Sequence, residues 1–220
     1  MSLSSPSISN GTKPNCRLDH MPLTSPIQLD IPATIGQYLD PGQLDRYFDL
    51  LMSENAKVNL VSRETSRADF DRMVAESLLP LTILSGKSAH YLDIGSGGGL
   101  PAVPLLLSGR ITEKPLLCER TQKKAAALKR IIAGLDLPAD VSPKEFVELK
   151  PKLKFDLITL RYVKLTQLLL KSILAVLNPS GAFVYYSEPE FTPAGCQIDR
   201  HQFIDPVDLI TKSFTLFRIS

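Results

Sequence analysis

Leu92-Asp93-Ile94-Gly95-Ser96-Gly97-Gly98-Gly99-Leu100-Pro101 joins an apolar run to a glycine-rich loop. The run from Ala89 to Ile94 reads as a strand that ends beside an acid, and a helical pattern opens behind the loop. Glycine lets the backbone turn sharply and lets a ligand approach where a Cβ would stand in the way. In an open α/β sheet, ligands bind outside the carboxyl ends of the strands, at loops of this kind. The segment is therefore a candidate cofactor loop, and its strand a candidate central strand.

Working outward from this loop, further apolar runs at 115–119, 155–159 and 182–187, with a weaker one at 139–142, read as strands. Between them, residues 101–108, 121–133, 144–149 and 164–177 carry helical spacing, and Ser213 to Ile219 reads as a terminal strand. Strands alternating with helices predict an α/β fold, a doubly wound and mostly parallel sheet of Rossmann-like type. Upstream, Asp40-Pro41 is a helix start, a capping acid followed by proline at the first helical position. Leu44, Tyr47, Phe48, Leu51 and Met52 then share one face. Ser66-Arg67-Ala68-Asp69 predicts a second helix, with Phe70, Met73, Val74, Ser77, Leu78 and Leu81 inward and Gly86 closing it. Residues 1–30, rich in Ser, Pro, Asn and Thr, read as a disordered arm, with order beginning near Ile31. The expected organisation is thus an arm (1–30), an N-terminal helical segment (31–86) and a core (87–220), the last two forming one compact domain.

A chain of 220 residues with 44% hydrophobic content can bury an ordinary core, and a formal charge of +2 does not by itself indicate a nucleic-acid partner. Cys16, Cys118 and Cys196 are far apart and form no C-x-x-C pair. That spacing argues against a disulfide framework or a metal site and suits a reducing, cytoplasmic setting. No apolar run approaches the ~18 residues of a membrane span, so no membrane partner is expected, and the chain is read as a monomer. His20, His90 and His201 have no partner pattern and are read as structural or surface residues.

The loop itself narrows the chemistry. Leu100 takes the place of the last glycine of the G-x-G-x-x-G fingerprint, and no G-K-[ST] follows, which excludes a P-loop. Asp93 would set like charge beside a pyrophosphate, whereas it suits a cationic or hydroxyl-bearing ligand. Glu119 ends the next strand, about 20 residues past the loop, where a carboxylate accepts the hydroxyls of a ribose. A helix-capping role at Thr121 is the alternative for Glu119, and a carboxylate bonded to loop amides is the alternative for Asp93. Dehydrogenases and S-adenosyl-L-methionine (SAM) methyltransferases both use a ribose-binding acid. The acid before the loop and the broken glycine spacing favour SAM, whose sulfonium and amino group are cationic.

Gly95-Ser96-Gly97-Gly98-Gly99-Leu100-Pro101-Ala102-Val103-Pro104-Leu105 resembles the G-[ST]-G-x-G-[FL]-P-G-x-P-L run of the bacterial small-subunit rRNA guanine-N7 methyltransferases, RsmG or GidB. Tyr47-Phe48-Asp49-Leu50-Leu51 with Asn55, Lys57, Asn59 and Leu60 is similar to the family's helix ending in N-x-x-[IV]-N-L-[TS]. Glu76-Ser77-Leu78 stands at its D-S-L, and Lys123-Lys124 at its K-K. Phe155-Asp156-Leu157-Ile158-Thr159 with Arg161 is similar to F-D-x-[IV]-[TV]-S-R-A, and Asn178-Pro179-Ser180-Gly181 replaces K-P-G-G. The likeness spans about residues 38–188. It implies a SAM-dependent methyltransferase fold with SAM as cofactor, and N7 of a guanine in 16S rRNA, free or in the 30S subunit, as acceptor. By matching positions it also implies that Gly95 and Leu100 line the SAM site, that Phe146 and Val147 fall where the family meets the adenine, and that Arg161 lies beside SAM and the incoming base; Asp93, Ser96, Gly97, Gly99 and Glu119 complete the expected SAM-binding set. Lys57 and Asn59 are further candidates to reach the substrate.

This chain also departs from the pattern. Met73 stands at a usual His, Leu160 and Tyr162 replace small residues around Arg161, and Phe146-Val147 replaces A-E. Ser187-Glu188-Pro189-Glu190 is acidic where the family has L-K-G, and Phe191 to Ile204 is too rich in breakers for the expected helix. Two readings therefore stand beside the rRNA one: a SAM-binding module without catalysis, and a methyltransferase for a small molecule or protein. Guanine N7 carries a lone pair and no proton, so no acid–base residue is nominated. Arg161 is the candidate contact to base or SAM carboxylate, with a surface ion pair to Asp156 or Glu119 as its alternative. Basic residues from Arg110 to Lys164 outnumber acidic ones and read either as a phosphate-binding surface or as solvated helix faces. Cys118 reads as a small core residue.

Overall fold

A computed structural model describes residues 25–149, 151–193 and 195–219. Its strands are β1 (Ile27–Gln28), β2 (Tyr91–Ile94), β3 (Leu116–Cys118), β4 (Asp140–Ser142), β5 (Phe155–Leu160), β6 (Leu177–Tyr185), β7 (Cys196–Ile204) and β8 (Thr211–Ile219). The helices are α1 (Ile31–Tyr38), α2 (Pro41–Asn55), α3 (Arg67–Leu78), α4 (Ala102–Leu107), α5 (Gln122–Gly134), α6 (Phe146–Leu149) and α7 (Gln167–Val176), with a 3-10 turn at Leu79–Thr82. The strands form one sheet in the order β1-β7-β8-β6-β5-β2-β3-β4, parallel throughout except for β8, which runs antiparallel to both β6 and β7.

Side chains alternate between the two faces of the sheet, as strand geometry requires. Tyr91, Leu117, Leu157, Ala182 and Val184 join the core under α1–α5, whereas Leu92, Ile94, Cys118, Ile158, Leu160, Phe183 and Tyr185 join the core that takes in α7. Both faces are covered, which is why the central strands read as unbroken apolar runs. Each large side chain buried this way contributes roughly 1.5–3 kcal/mol.

Local signals explain the helix ends. Asp40 accepts from Gln43 N at 3.0 Å, and Ser66 and Asp69 form a complete capping box at the start of α3. The N-terminal helices rest directly on the glycine loop. A Cβ on Gly98 would stand 2.8 Å from Leu51 Cδ1, and the Tyr47 hydroxyl donates to Gly98 O at 3.0 Å. Gly134 likewise makes room for Leu50. Between these contacts, Arg130 on α5 donates to both oxygens of the buried Glu54 on α2, at 3.0 and 2.6 Å.

The structure corrects the sequence reading at both ends of the sheet. Most of the expected arm lies outside the described residues, but order begins before Ile31. Ile27 and Gln28 pair with Phe203 and Ile204, and Asp30 caps α1 by accepting from Ala33 N at 3.0 Å. The segment after β6, expected only to lack a helix, becomes β7, a nine-residue strand. Its polar sequence alternates weakly because its supports are cross-strand: His201 stacks on Phe214 with centroids 5.0 Å apart, and Arg218 pairs with Asp199. The final helix of the core starts at Gln167, capped by Thr166, rather than at Lys164. No helix among the described residues is long and apolar enough to cross a membrane.

Candidate functional site: a cleft at the carboxyl ends of the central strands

Strand order reverses between β2 and β5: β3 and β4 lie on one side of β2, β5 and β6 on the other. Such a switch point leaves a crevice outside the strand ends. Here it is a cleft of about 1040 Å³, lined by the glycine loop, by Glu119 beyond β3, by Arg161 to Lys164 beyond β5 and by the loop following α2.

Asp93 is 1% exposed. Its Oδ1 accepts from Thr159 Oγ1 at 2.5 Å, and the Tyr91 hydroxyl lies 2.7 Å from the same Thr159 oxygen. The register aligns Asp93 directly with Thr159, so both project on the face shared with Tyr91. Asp93 Oδ2 is buried with no partner. Burial raises the Asp93 pKa to about 6; the hydrogen bond from Thr159 opposes that rise, and the Glu119 charge adds to it. An orphaned buried carboxylate oxygen is costly unless a ligand completes it.

The loop follows from its glycines. Gly95 and Ser96 donate to Cys118 O at 2.8 and 2.9 Å, which closes the loop over β3. Gly95, Gly97 and Gly99 have positive φ. A Cβ on Gly95 would meet Val163 at 2.6 Å, whereas on Gly97 nothing lies nearer than 3.9 Å. The space beside Gly97 is cleft. Glu119 is buried against this loop: Oε2 accepts from Gly97 N at 3.1 Å and Oε1 from Thr121 N at 2.7 Å. One carboxylate thus braces the loop and the entry to α5 together, and its remaining lone pairs can take hydroxyl donors.

Among the other expected residues, Ser96, Leu100 and Phe146 line the cleft, and Phe146 is buried. Gly99 packs instead toward Val103 and Leu128, where a Cβ would come within 2.6 and 3.2 Å. Val147 is 47% exposed and does not line the cleft. Lys57 pairs with Glu54 at 2.9 Å, and Asn59 accepts from Arg63 at 3.2 Å; neither lines the cleft. Cys118 is buried in the core, its thiol pushed up to about 12 by burial. His90 faces Glu113 at 3.0 Å, His201 is held by its stack, and Cys16 and His20 lie outside the described residues.

Arg161 is 4% exposed, and the ion pairs considered for it with Asp156 and Glu119 do not form. Its guanidinium donates to Glu76 Oε2 at 2.5 Å, Ser77 Oγ at 2.8 Å and Met73 O at 3.0 Å, all on α3. Glu76 Oε1 also accepts from Lys212 on β8, which continues to Asp205 and through it to Arg72. The sequence marked Glu76-Ser77 without a role; only the fold brings them onto Arg161. Asn55 was likewise a motif residue without a task. Its Oδ1 accepts from Leu60 N at 2.8 Å and Val61 N at 3.1 Å, shaping the loop whose residues 60–62 form one wall of the cleft. Thr159, the partner of Asp93, carried no separate signal.

Comparison with known proteins bears on the family and the fold. The chain is 32% identical over 203 residues to ribosomal RNA small subunit methyltransferase G of Sorangium cellulosum, covering 86% of this chain and 84% of that protein. It is 35% identical over 124 residues to the protein of the same name from Magnetococcus marinus, a match that spans 52% of this chain and 55% of that relative's length. Among solved structures, an O-methyltransferase from Bacillus cereus in complex with SAH superposes with a TM-score of 0.62 over 86% of this chain and 96% of that one; at 14% identity the likeness is one of fold. The family model described as rRNA small subunit methyltransferase G matches residues 41–193, and with the glycine loop, Glu119 and Arg161 all inside that span, the chain belongs to the GidB family.

Proposed function

We propose that the cleft binds SAM and that the protein transfers its methyl group to N7 of a guanine in 16S rRNA. The observations that carry this reading are the buried Asp93 carboxylate at the end of β2, with one oxygen unpartnered, the open space at Gly97 and the braced Glu119, in a chain of the GidB family. Asp93 would hold the cationic amino end of SAM, Glu119 its ribose hydroxyls, and Phe146 the adenine, with Gly95, Ser96, Gly97 and Leu100 giving close backbone approach. SAM supplies an electrophilic methyl on a sulfonium sulfur. The acceptor nitrogen has no proton to remove, so the chain need not supply a general base there. Its residues act by alignment, an effect worth up to about 7–11 kcal/mol, and by fixed charge. Arg161, held rigid by Glu76 and Ser77, keeps a positive charge at the deep end of the cleft. Arg120, Lys124 and Lys144 line the cleft, where RNA phosphates would pass. We read the chain as a monomer and as acting in the cytoplasm, where ribosomal subunits are found.

Two measurements test this reading. Calorimetric titration should find binding of SAM and none of NAD; the reverse would overturn it. Labelled methyl should pass from SAM to 30S subunits or naked 16S rRNA and map to one guanine N7. Binding of SAM without transfer to either RNA would favour a non-catalytic module or a different acceptor.

A further inference from the structure

Tyr162 lines the cleft without a role toward SAM, and its placement is unusual. It is 81% exposed and lies on the cleft wall, directly after β5. Among the exposed large apolar side chains of the described residues it is the one aromatic. Its φ is +56°, a left-handed conformation that a bulky side chain rarely adopts. Strain of that kind is kept where surrounding structure holds it, commonly at functional sites. Here the holder is visible. The Arg161 guanidinium lies 4.9 Å from the ring centroid, and Arg161 Nη2 donates to the Tyr162 hydroxyl at 3.3 Å. Arg161 is itself clamped by Glu76 and Ser77. The guanidinium therefore stands over one face of the ring, while the residue as a whole stays 81% exposed beside the cleft.

A base methylated in this cleft must leave its neighbours to reach it. Unstacked bases are characteristically received on aromatic side chains. Arg120, Lys124 and Lys144 line the same cleft, so a strand lying across it would meet cations for its phosphates and one ring for a base, whereas Lys164 is paired with Glu190 at 2.6 Å. We propose that Tyr162 is the stacking platform that receives the flipped-out guanine of the RNA substrate at the mouth of the cleft. The proposal rests on the rRNA reading above and adds to it the residue that takes the base.

The test uses the full chain and two fluorescein-labelled single-stranded RNA oligonucleotides, one with a single guanine and one abasic at that position, compared by anisotropy. Wild type should prefer the guanine-bearing strand by about tenfold, as expected of one base–aromatic stack. Tyr162→Asn tolerates the left-handed backbone but has no ring, and Tyr162→Leu is apolar without one; both should lose the preference. Tyr162→Phe, which keeps the ring, should retain it. In methyl transfer to 30S subunits, the KM for the subunit should rise about tenfold in the Asn and Leu variants, with SAM affinity unchanged. No guanine preference in wild type, or the same preference in Tyr162→Asn, overturns the stacking role. Equal loss of SAM affinity in the Asn and Leu variants also overturns it, since Tyr162 would then support the cofactor end. If the preference holds but no methyl reaches 30S subunits or 16S rRNA, the stacking role stands and the proposed acceptor falls.

Discussion

Gly97 and Asp93 do opposite things at the end of one strand. Gly97 leaves space empty, and Asp93 fills a buried position with a charge that lacks a partner. Gly97→Asp should remove measurable SAM binding in calorimetry while the circular dichroism spectrum stays native. A Cβ at this position meets no atom nearer than 3.9 Å, and aspartate tolerates the left-handed backbone at a cost of about 1 kcal/mol. It would, however, put a second negative charge beside Glu119 and occupy the cleft. Asp93 makes a pH prediction. Its folded pKa is raised from 3.8 to about 6 by burial, so ionisation is penalised in the folded state. The stability it contributes is present below pH 3.8 and is lost as pH rises through about 6. Asp93→Asn should therefore melt at higher temperature than wild type above pH 6. Affinity for cationic SAM should run the other way. In wild type it should weaken as pH falls below about 6, by up to about tenfold per pH unit, and in Asp93→Asn the affinity should be lower and flat. A pH-independent wild type would remove Asp93 from the SAM amino group.

At the scale of elements, the wall of the cleft depends on how α2 ends. Asn55 is its last residue, and its carboxamide receives the Leu60 and Val61 amides while donating to Ser62 O at 3.3 Å. Asn55→Ala leaves those amides without their acceptor and should cost about 1–3 kcal/mol in urea denaturation. Hydrogen exchange at Leu60 and Val61 should accelerate, and SAM affinity should fall with the loosened wall. Asn55→Asp, which keeps the acceptor, should recover most of both. Native exchange at Leu60 in the alanine variant would show that the loop is shaped by other contacts. The motif reading had selected Asn55, Lys57 and Asn59 together. Their roles separate because the chain turns after α2: Asn55 folds back into that turn, Lys57 turns outward to Glu54, and Asn59 meets Arg63.

Across the whole molecule, a largely buried ion network ties α3 to the residue after β5, to β8 and to the turn that follows β7. Arg161 after β5, Glu76 on α3, Lys212 on β8, Asp205 beyond β7 and Arg72 on α3 form one path. Glu76→Gln leaves Arg161, 4% exposed, without its counter-charge. Breaking a buried pair from one side costs about 3–5 kcal/mol, so chemical denaturation should show a loss of that order. Methyl transfer should fall further than SAM binding, because the clamp that orients Arg161 and Tyr162 is lost. A loss under 1 kcal/mol would mean that water or Tyr186, whose ring lies 5.5 Å from the Arg161 guanidinium, compensates.

The sequence by itself determined the central β-α alternation, the caps of α2 and α3, the glycine loop with Asp93 and Glu119 at its two strand ends, and the family. Each of these is written in contiguous residues: a period, a capping pair, a run of glycines. The tertiary structure decided what distant residues become to one another. It gave Asp93 to Thr159 and Arg161 to Glu76, turned Gly98 into a seat for Leu51, and made a strand of the polar segment 196–204 by pairing it with β8. It also left Val147 outside the cleft and set Tyr162 at its mouth. The physical reason is the same throughout. Caps and periodicity arise from interactions within a few residues, whereas buried charge pairs, close backbone approaches and edge strands are stabilised by partners that only the folded chain brings near.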